Sequence, residues 1–357
     1  MVNTVLGTIA AKDMGATLPH EHCFVEADVW AEKPENIEER YKNLFDEPLT
    51  LANMSLVARA GMYSPDNMIL IEPYQRLQEL NAFRAAGGKT VVDCTVEGLG
   101  RERHYHRYQM LSKKSKVNII IATGYYVEPT HPANVKNQSA QQLAQGMIND
   151  ITKGIYGTDI RSGLIKLAVS QNKFTDEEKK ALIAGAITQK ETRVPLTVHT
   201  WGDEPGKWNG FEVMDLLQKN DVDFGKVYMS HVDWTVAQEP NWGTAVKAAA
   251  RGVYVSFDNF GNEWPYWSQD HSSETFNYIG APTDLDRLRG IKRLIDEGYE
   301  NQILMSHDLG QKLRLKAYGG HGLDHIQTNV RNLFNYLKID PSLFTKFTVE
   351  NPARLFR

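Results

Sequence analysis

Short apolar runs rich in β-branched residues recur along the chain, and each is followed by a polar loop and then by a segment with helical spacing. Runs that are apolar almost throughout are typical of parallel strands covered on both faces, with helices as the crossover connections. Eight runs fit this description, at residues 15–24, 90–95, 118–126, 163–169, 194–200, 226–233, 252–260 and 302–308. Eight strand and helix units indicate a (β/α)8 barrel.

Helical periodicity supports this alternation. Amphipathic spacing covers residues 74–86, 175–192 and 285–298, and the second segment opens with a capping-box pattern at Thr175 and Glu178. An open doubly wound sheet also alternates strands and helices, but it usually carries a glycine-rich phosphate turn, and no G-x-G-x-x-G pattern occurs here. We therefore predict an α/β fold of the TIM (β/α)8 barrel type.

One interval, residues 25–72, is too long for a simple crossover. Several of its apolar residues recur with helical spacing, so we predict an inserted helical excursion after the first strand. The residues that carry this spacing are Ile37, Tyr41, Leu44, Phe45, Leu56 and Val57. In a barrel this interval lies at the end where active sites are found, so a lid, an oligomer contact and a surface decoration without function all remain open.

Composition narrows the classes of partner. The 357 residues carry a formal charge of −4, and positive and negative residues are interleaved along the sequence. This pattern does not indicate a basic surface for nucleic acid or an anionic membrane, so it favours a small-molecule partner. No window reaches the roughly 18 apolar residues of a spanning helix, and the start lacks a signal-peptide pattern, so we expect a cytoplasmic protein. The two cysteines exclude a disulfide framework. We predict one domain over residues 1–357.

Polar side chains are concentrated at the carboxyl ends of the predicted strands, and in a barrel these ends share one rim. The residues concerned are His20, His22, Lys166, His199, His231 and Asp308. Residues i and i+2 of a strand lie on the same face, so His20 and His22 can both point into the barrel as a chelating pair while Glu21 points out.

A single histidine at a strand end is more often a hydrogen-bonded structural residue than a ligand. Four histidines and a carboxylate on one rim instead predict a site for Zn, Mn, Fe or Co. The absence of a thiolate cluster argues against a structural zinc finger.

Lys166 needs a separate explanation, because divalent cations would repel its ammonium group. It could be a neutral lysine poised to form a Schiff base, an ordinary lysine turned to solvent, or a lysine carboxylated by carbon dioxide to a carbamate that bridges two metal ions. We favour the carbamate, because it replaces a misplaced positive charge with an anionic ligand.

The same residues carry a resemblance to the phosphotriesterase family of the amidohydrolase superfamily. The similarity extends to TLPHEHCF near the start, ATGYYVEPTHP after the third strand, SHVDWT on the sixth, FDNFG on the seventh and SHDLGQKLRLKAYGGHG on the eighth, with a closing ENP. These segments span essentially the whole chain, and the long first interval and YGGHG resemble the phosphotriesterase-related branch.

The resemblance implies a binuclear metal-dependent hydrolase, in which a metal-bridging hydroxide attacks a carbonyl or phosphoryl centre of a small ester, lactone, amide or phosphoester. It also implies a homodimer, and Asp308 as the catalytic residue that accepts a proton. The implied ligands are His20, His22 and Asp308 for the buried ion, His199 and His231 for the exposed ion, and carboxylated Lys166 between them.

Residues around the substrate are less strongly indicated. Tyr126 matches the family position beside the exposed metal, and Trp201 and Asn259 are further candidates for substrate contact. Trp234, Trp264 and Trp267 could line the pocket or pack beneath loops. The family's lactonases and phosphotriesterases often have a basic residue where Asn259 stands, so their substrate preferences do not transfer directly.

Two other classes of function remain open. A Schiff-base lyase that uses Lys166 would keep its activity in chelator and would be trapped by borohydride with a carbonyl substrate. A non-catalytic metal-containing scaffold would bind the metal without turnover.

Overall fold

A computed structural model of the chain describes residues 1–31, 38–170, 174–201, 208–234, 241–263 and 282–357. Its centre is an eight-stranded parallel sheet in which the strands follow one another in chain order. The strands are Ala16–Glu21, Gly88–Asp93, Asn118–Tyr125, Leu164–Ala168, Leu196–His199, Val227–Met229, Tyr254–Phe257 and Ile303–Met305. Each lies inside one of the eight predicted runs or within two residues of it.

The sheet curves into a nearly closed barrel. Its last strand approaches its first, where the Asp308 backbone N–H donates to the His20 carbonyl at 3.1 Å. The strands are mostly apolar and nearly all of their residues are buried, because helices cover the outer face of the sheet, which is the pattern of a parallel sheet. The predicted TIM barrel is therefore confirmed.

The helices lie between successive strands and after the last one. They comprise Pro73–Ala85, Arg101–Ser115, Ala140–Thr152, Asp176–Thr192, Gly210–Lys219, Gly243–Ala250, Asp284–Asp296, Arg331–Tyr336, Ser342–Thr345 and Asn351–Leu355. The predicted capping box is present, because the Thr175 hydroxyl accepts from the Glu178 N–H at 3.1 Å and the Thr175 N–H donates to the Glu178 carboxylate at 3.0 Å.

The insertion after the first strand is confirmed, and its described part is built from short elements. Val25–Glu26 pairs antiparallel with Ile69–Leu70, and the only α-helix described between them is Met54–Val57, accompanied by 3-10 turns. Its apolar side chains form a small separate core, which comprises Tyr41, Leu44, Leu49, Val57, Tyr63 and, from the loop after the eighth strand, Leu313. Ile37 lies outside the described residues.

Two further features complete the architecture. A hairpin of Val2–Thr4 and Gly7–Ile9 precedes the barrel. Among the described residues, no helix combines the length and the apolar character that crossing a membrane requires.

Candidate metal centre

The carboxyl end of the barrel holds a pocket lined by all six residues that the sequence singles out as ligands: His20, His22, Lys166, His199, His231 and Asp308. They come from five strands or the turns that follow them. Distant parts of the chain therefore converge on one site, as the shared rim of a barrel requires.

Asp258 orients two of the histidines. Its buried carboxylate lies 2.8 Å from Nδ1 of His20 and 2.8 Å from Nδ1 of His231. A carboxylate beside Nδ1 fixes the tautomer that carries the proton there, so Nε2 keeps its lone pair for a metal ion. Sequence reasoning gave Asp258 no role, although an acidic residue at the end of an apolar strand was a usable signal.

His22 is oriented by a hydroxyl. Its Nδ1 lies 2.8 Å from the Thr95 Oγ1, and that hydroxyl donates its own proton to the Phe24 carbonyl at 2.9 Å. The Thr95 oxygen therefore accepts from His22 Nδ1–H. Nε2 of His22 lies 3.0 Å from Oδ1 of Asp308. His20 and His22 therefore both present an Nε2 lone pair near the Asp308 carboxylate.

Lys166 lies at the floor of the pocket. Its side chain is 1% exposed, and Nζ lies 3.1 Å from Nε2 of His20. The neighbouring strand passes very close here: Gly124 pairs with Lys166 at a φ of 131°, and a Cβ at Gly124 would lie 2.0 Å from the Lys166 carbonyl oxygen. Burial lowers the pKa of the Lys166 amine, which favours its neutral form.

His199 contributes a nitrogen with unused bonding capacity. Its Nε2 is buried and has no hydrogen-bond partner among the residues that the structure describes, and Nδ1 is 3.5 Å from the Tyr126 hydroxyl. Buried nitrogens of this kind are normally partnered. A bound metal ion would supply the missing partner.

Most of the protonation states also fit metal binding. His231 is the exception: burial alone would lower its pKa, but the charge and hydrogen bond of Asp258 raise it, so a bound ion would have to displace a proton there. Burial and the charge of Lys166 lower the pKa of His20 to about 4, and burial with the charge of His231 lowers that of His199 well below its usual value. At Asp308 burial opposes ionisation, but the neighbouring imidazoles of His20, His22 and His231 lower its pKa. Neutral imidazoles and an ionised carboxylate are the forms that bind divalent metals.

Ligand atoms of His20, His22 and Asp308 lie within 4.8 Å of one another, as do those of His20, His231 and Asp258. The second group is explained by hydrogen bonding, because the Asp258 carboxylate is already occupied by both Nδ1 atoms and by the His231 backbone N–H at 2.9 Å. The first group, together with the unused Nε2 of His199, fits divalent metal ions.

The walls of the pocket contain the three residues that the sequence proposes for substrate contact, Tyr126, Trp201 and Asn259, as well as Trp234. Trp264 and Trp267 lie outside the described residues. The Asn259 backbone N–H donates to Asp233 at 3.0 Å.

The insertion supplies further wall residues that sequence reasoning missed, namely Val25, Ala27, Trp30, Met62 and Met68. Trp30 stacks on Trp201 with 6.4 Å between ring centroids and donates its indole N–H to the Tyr126 hydroxyl at 3.1 Å. The predicted position of the insertion at the rim of the barrel indicated that some of its residues could reach the pocket. Which of its side chains face the pocket depends on how it folds back.

A parallel barrel that gathers imidazoles and a carboxylate at its carboxyl rim defines a class, the TIM-barrel metal-dependent hydrolases. The model of the phosphotriesterase family matches residues 1–356. The chain therefore belongs to the phosphotriesterase family, and the resemblance seen in the sequence is confirmed.

Two relatives illustrate the relationship. The chain is 33% identical over 354 residues to a phosphotriesterase-related protein of Nematostella vectensis, covering 99% of this chain and 97% of the relative. It is also 33% identical over 359 residues to the N-acetyltaurine hydrolase of Mus musculus, again with 99% and 97% coverage.

Solved structures agree with this placement. A resiniferatoxin-binding protein from Rhodobacter sphaeroides superposes with a TM-score of 0.90 at 28% identity, covering 99% of this chain and 94% of that one. A mutant of a phosphotriesterase-like lactonase from Deinococcus radiodurans gives a TM-score of 0.74 at 26% identity, with 100% coverage of both chains. The chain is thus a metal-dependent hydrolase of this family.

Proposed function

We propose that the protein is a binuclear metal-dependent hydrolase whose substrate is a small amide. The observation that carries the binuclear centre is the convergence on one pocket of four histidines, a carboxylate and a fully buried lysine. The amide is favoured among the ester, lactone, amide and phosphoester substrates that the sequence leaves open, because N-acetyltaurine hydrolases match 99% of the chain.

Each of the two ions would have its own set of ligands. The first ion would be held by His20, His22 and Asp308, the second by His199 and His231, and both by carboxylated Lys166. When bound, two divalent ions lower the pKa of a water held between them and polarise the substrate carbonyl.

Carboxylation of Lys166 is part of this proposal. The neutral Nζ would attack the carbon of carbon dioxide and form an N–C bond while the electron pair of one C=O π bond moves to oxygen. The nitrogen would then lose a proton to water, which leaves a carbamate anion. The lowered pKa of the buried amine supplies the required neutral nitrogen. Retained as an ammonium, the same group would face two divalent cations at short range in a site of low effective dielectric constant.

Asp308 would move the proton in the reaction. Neighbouring imidazoles lower the pKa of its carboxyl group, which favours the ionised form, and Oδ1 lies 3.0 Å from Nε2 of His22 on the pocket side. It would accept the proton of the attacking water and deliver it to the amide nitrogen as the C–N bond breaks.

Tyr126 would bind the substrate carbonyl. Its hydroxyl oxygen accepts the Trp30 indole N–H at 3.1 Å. With an ion on Nε2 of His199, Nδ1 of that ring would carry a proton and donate to the same oxygen from 3.5 Å, so the phenolic proton is left for a substrate oxygen. Burial raises the pKa of Tyr126, which keeps that proton in place. The hydroxyl would act as an oriented donor toward the charge that develops on the oxygen.

One observation also suits the alternative Schiff-base lyase, because the lowered pKa of Lys166 favours the neutral amine that a carbonyl substrate needs. Treatment with borohydride in the presence of a ketone or aldehyde substrate separates the two functions. Covalent labelling at Lys166 together with full activity in chelator would support the lyase.

The test of the hydrolase is a set of initial rates on N-acetyltaurine, other N-acyl amino acids, lactones, carboxylic esters and phosphotriesters, with protein reconstituted with Zn, Mn or Co. We expect amides to be cleaved fastest. Replacing Asp308→Asn should lower the rate by about 100-fold or more, because the group that transfers the proton is lost.

A surface variant, Asp296→Asn, is the matched control, since its carboxylate only pairs with Lys292 on an exposed helix face. It should keep the wild-type rate. Equal turnover by Asp308→Asn and wild type, or turnover by protein that holds less than about a tenth of an equivalent of transition metal, would overturn the proposal.

A further inference from the structure

The backbone at Asp308 adopts an unfavourable conformation. Its φ is 50°, in the left-handed region that residues with a Cβ seldom occupy. Such a conformation persists only where the surroundings fix it. The side chain that it directs is the carboxylate of the proposed metal centre, so the contacts that hold residues 307–309 decide where that carboxylate points.

Glu21 supplies three of these contacts. Its carboxylate is 1% exposed and points away from the pocket, on the strand segment between His20 and His22. It accepts from the His307 backbone N–H at 2.8 Å and from the Leu309 backbone N–H at 3.0 Å. One carboxylate therefore holds the backbone N–H groups of the two residues that flank Asp308.

Two side chains that directly follow the eighth strand complete the carboxylate's hydrogen bonds. Glu21 Oε1 also lies 2.7 Å from the Ser306 hydroxyl and 2.8 Å from Nδ1 of His307. The other ring nitrogen of His307 accepts the Ile326 backbone N–H at 3.2 Å. His307 is thereby fixed in one tautomer, with its proton directed at Glu21.

The remaining backbone groups of the segment are tied as well. The Asp308 N–H donates to the His20 carbonyl at 3.1 Å, and Arg314 donates to the Asp308 carbonyl at 2.7 Å and to the His307 carbonyl. The segment is thus bonded to the first strand through its N–H groups and to Arg314 through its carbonyls.

We propose that Glu21 is a positioning residue that presets the metal centre. Because it belongs to the same strand as His20 and His22, it couples the geometry of Asp308 directly to that of the two histidines. Three donors are then correctly spaced before an ion binds, which lowers the cost of binding the first ion. This inference rests on the metal centre described under the proposed function.

The test measures metal affinity rather than turnover. Apo wild type and apo Glu21→Gln are titrated with Zn²⁺ against a chelating indicator, and the visible spectrum of the Co²⁺ form is recorded. The amide keeps the size of the side chain but places an N–H group against backbone donors. We expect roughly 10- to 100-fold weaker binding of the first ion and a changed Co²⁺ spectrum.

Glu178→Gln is the matched control. Glu178 is also a fully buried carboxylate that accepts backbone N–H groups, from Glu128, Ser170 and Thr175. Its replacement should lower thermal stability and leave Zn²⁺ affinity within about threefold of wild type, because it touches no candidate ligand. An equal loss of affinity in both variants would mean that general destabilisation is responsible, and the inference would fail.

A milder variant keeps the test valid if Glu21→Gln does not fold. Glu21→Asp keeps the negative charge but shortens the side chain by one methylene, which draws the carboxylate back from the His307 and Leu309 N–H groups. It should weaken binding of the first ion about 3- to 10-fold. Wild-type affinity in whichever variants fold overturns the positioning role alone, whereas failure of the wild type to take up metal overturns the proposed function itself.

Discussion

At the scale of single residues, the buried Lys166 offers a sharp test of the carbamate. Lys166→Ala should lose metal from the centre and at least about 100-fold in rate, because a ligand of both ions is removed. Adding acetate or propionate should restore part of the metal content and part of the rate, since a free carboxylate can occupy the position of the carbamate anion. Metal content by elemental analysis and initial rates on the best amide substrate give the readout.

The control for this experiment is Lys190→Ala, whose exposed ammonium pairs with the exposed carboxylate of Asp221. It should behave as wild type with or without acetate. A Lys166→Ala protein that holds two ions and turns over normally would show that the lysine is not a ligand.

The six candidate ligands could be read from the sequence because each is a polar residue in or just after an apolar run. Their orienting partners could not be identified in this way. Asp258 and Thr95 act across contacts with histidines far away in the chain. Strand alternation predicted that Glu21 points out of the barrel. Its hydrogen-bond partners at residues 306–309 could not be predicted, because they come close to Glu21 only where the last strand approaches the first.

At the scale of elements, the insertion contributes a wall of the pocket, and Trp30 is its most informative residue. Trp30→Ala should raise KM about 10-fold and change kcat by less, because an indole stacked on Trp201 is lost while the candidate ligands stay in place. Steady-state kinetics on the preferred amide measure both parameters.

Trp30→Phe keeps an aromatic ring and loses the N–H that reaches Tyr126, so it separates packing from hydrogen bonding. Tyr336→Ala, at a residue that is 71% exposed, is the control for aromatic truncation. An unchanged KM in Trp30→Ala would indicate that the insertion does not contact the substrate.

The barrel strands were predictable because each is covered on both faces and therefore reads as a continuous apolar run. Their limits were less certain, as in the sixth run, where the observed strand Val227–Met229 ends well before Asp233. The form of the insertion was not predictable, since Tyr41 and Tyr63 are buried in a cluster that includes Leu313 from the other end of the chain.

At the scale of the whole molecule, the proposed ions would join the first and last strands at the point where the barrel closes. A ligand that binds only the folded state at about 1,000 times its dissociation constant adds roughly 4 kcal/mol to the free energy of unfolding. With an unfolding entropy of about 2 cal/mol/K per residue, 357 residues convert this to a midpoint shift of roughly 5 °C.

Calorimetry before and after chelation should therefore show a fall of this size in the midpoint, reversed by adding metal. Asp308→Asn, with a ligand missing, should respond less to chelator. A midpoint that does not change on chelation would mean that the ions do not stabilise the closed barrel.

Acid should loosen the same end of the molecule through Asp284, which joins three elements. Its carboxylate accepts from Gly261 N–H at 2.9 Å, pairs with Arg287 at 3.2 Å and lies 2.6 Å from Nε2 of His325. Burial alone would raise the pKa of Asp284, but the hydrogen bond to His325 and the charge of Arg287 lower it to about 2.

A carboxyl whose pKa is lower in the folded than in the unfolded state stabilises the fold above its unfolded pKa, and this contribution disappears as pH falls toward the folded value. For Asp284 the window runs from about pH 4 to about pH 2. Urea unfolding should show Asp284→Asn less stable than wild type by about 2 kcal/mol at pH 7, with the difference shrinking below pH 4. Asp296→Asn, whose side chain is 54% exposed, should show no such dependence, and a difference that stays constant down to pH 3 would rule out this role for Asp284.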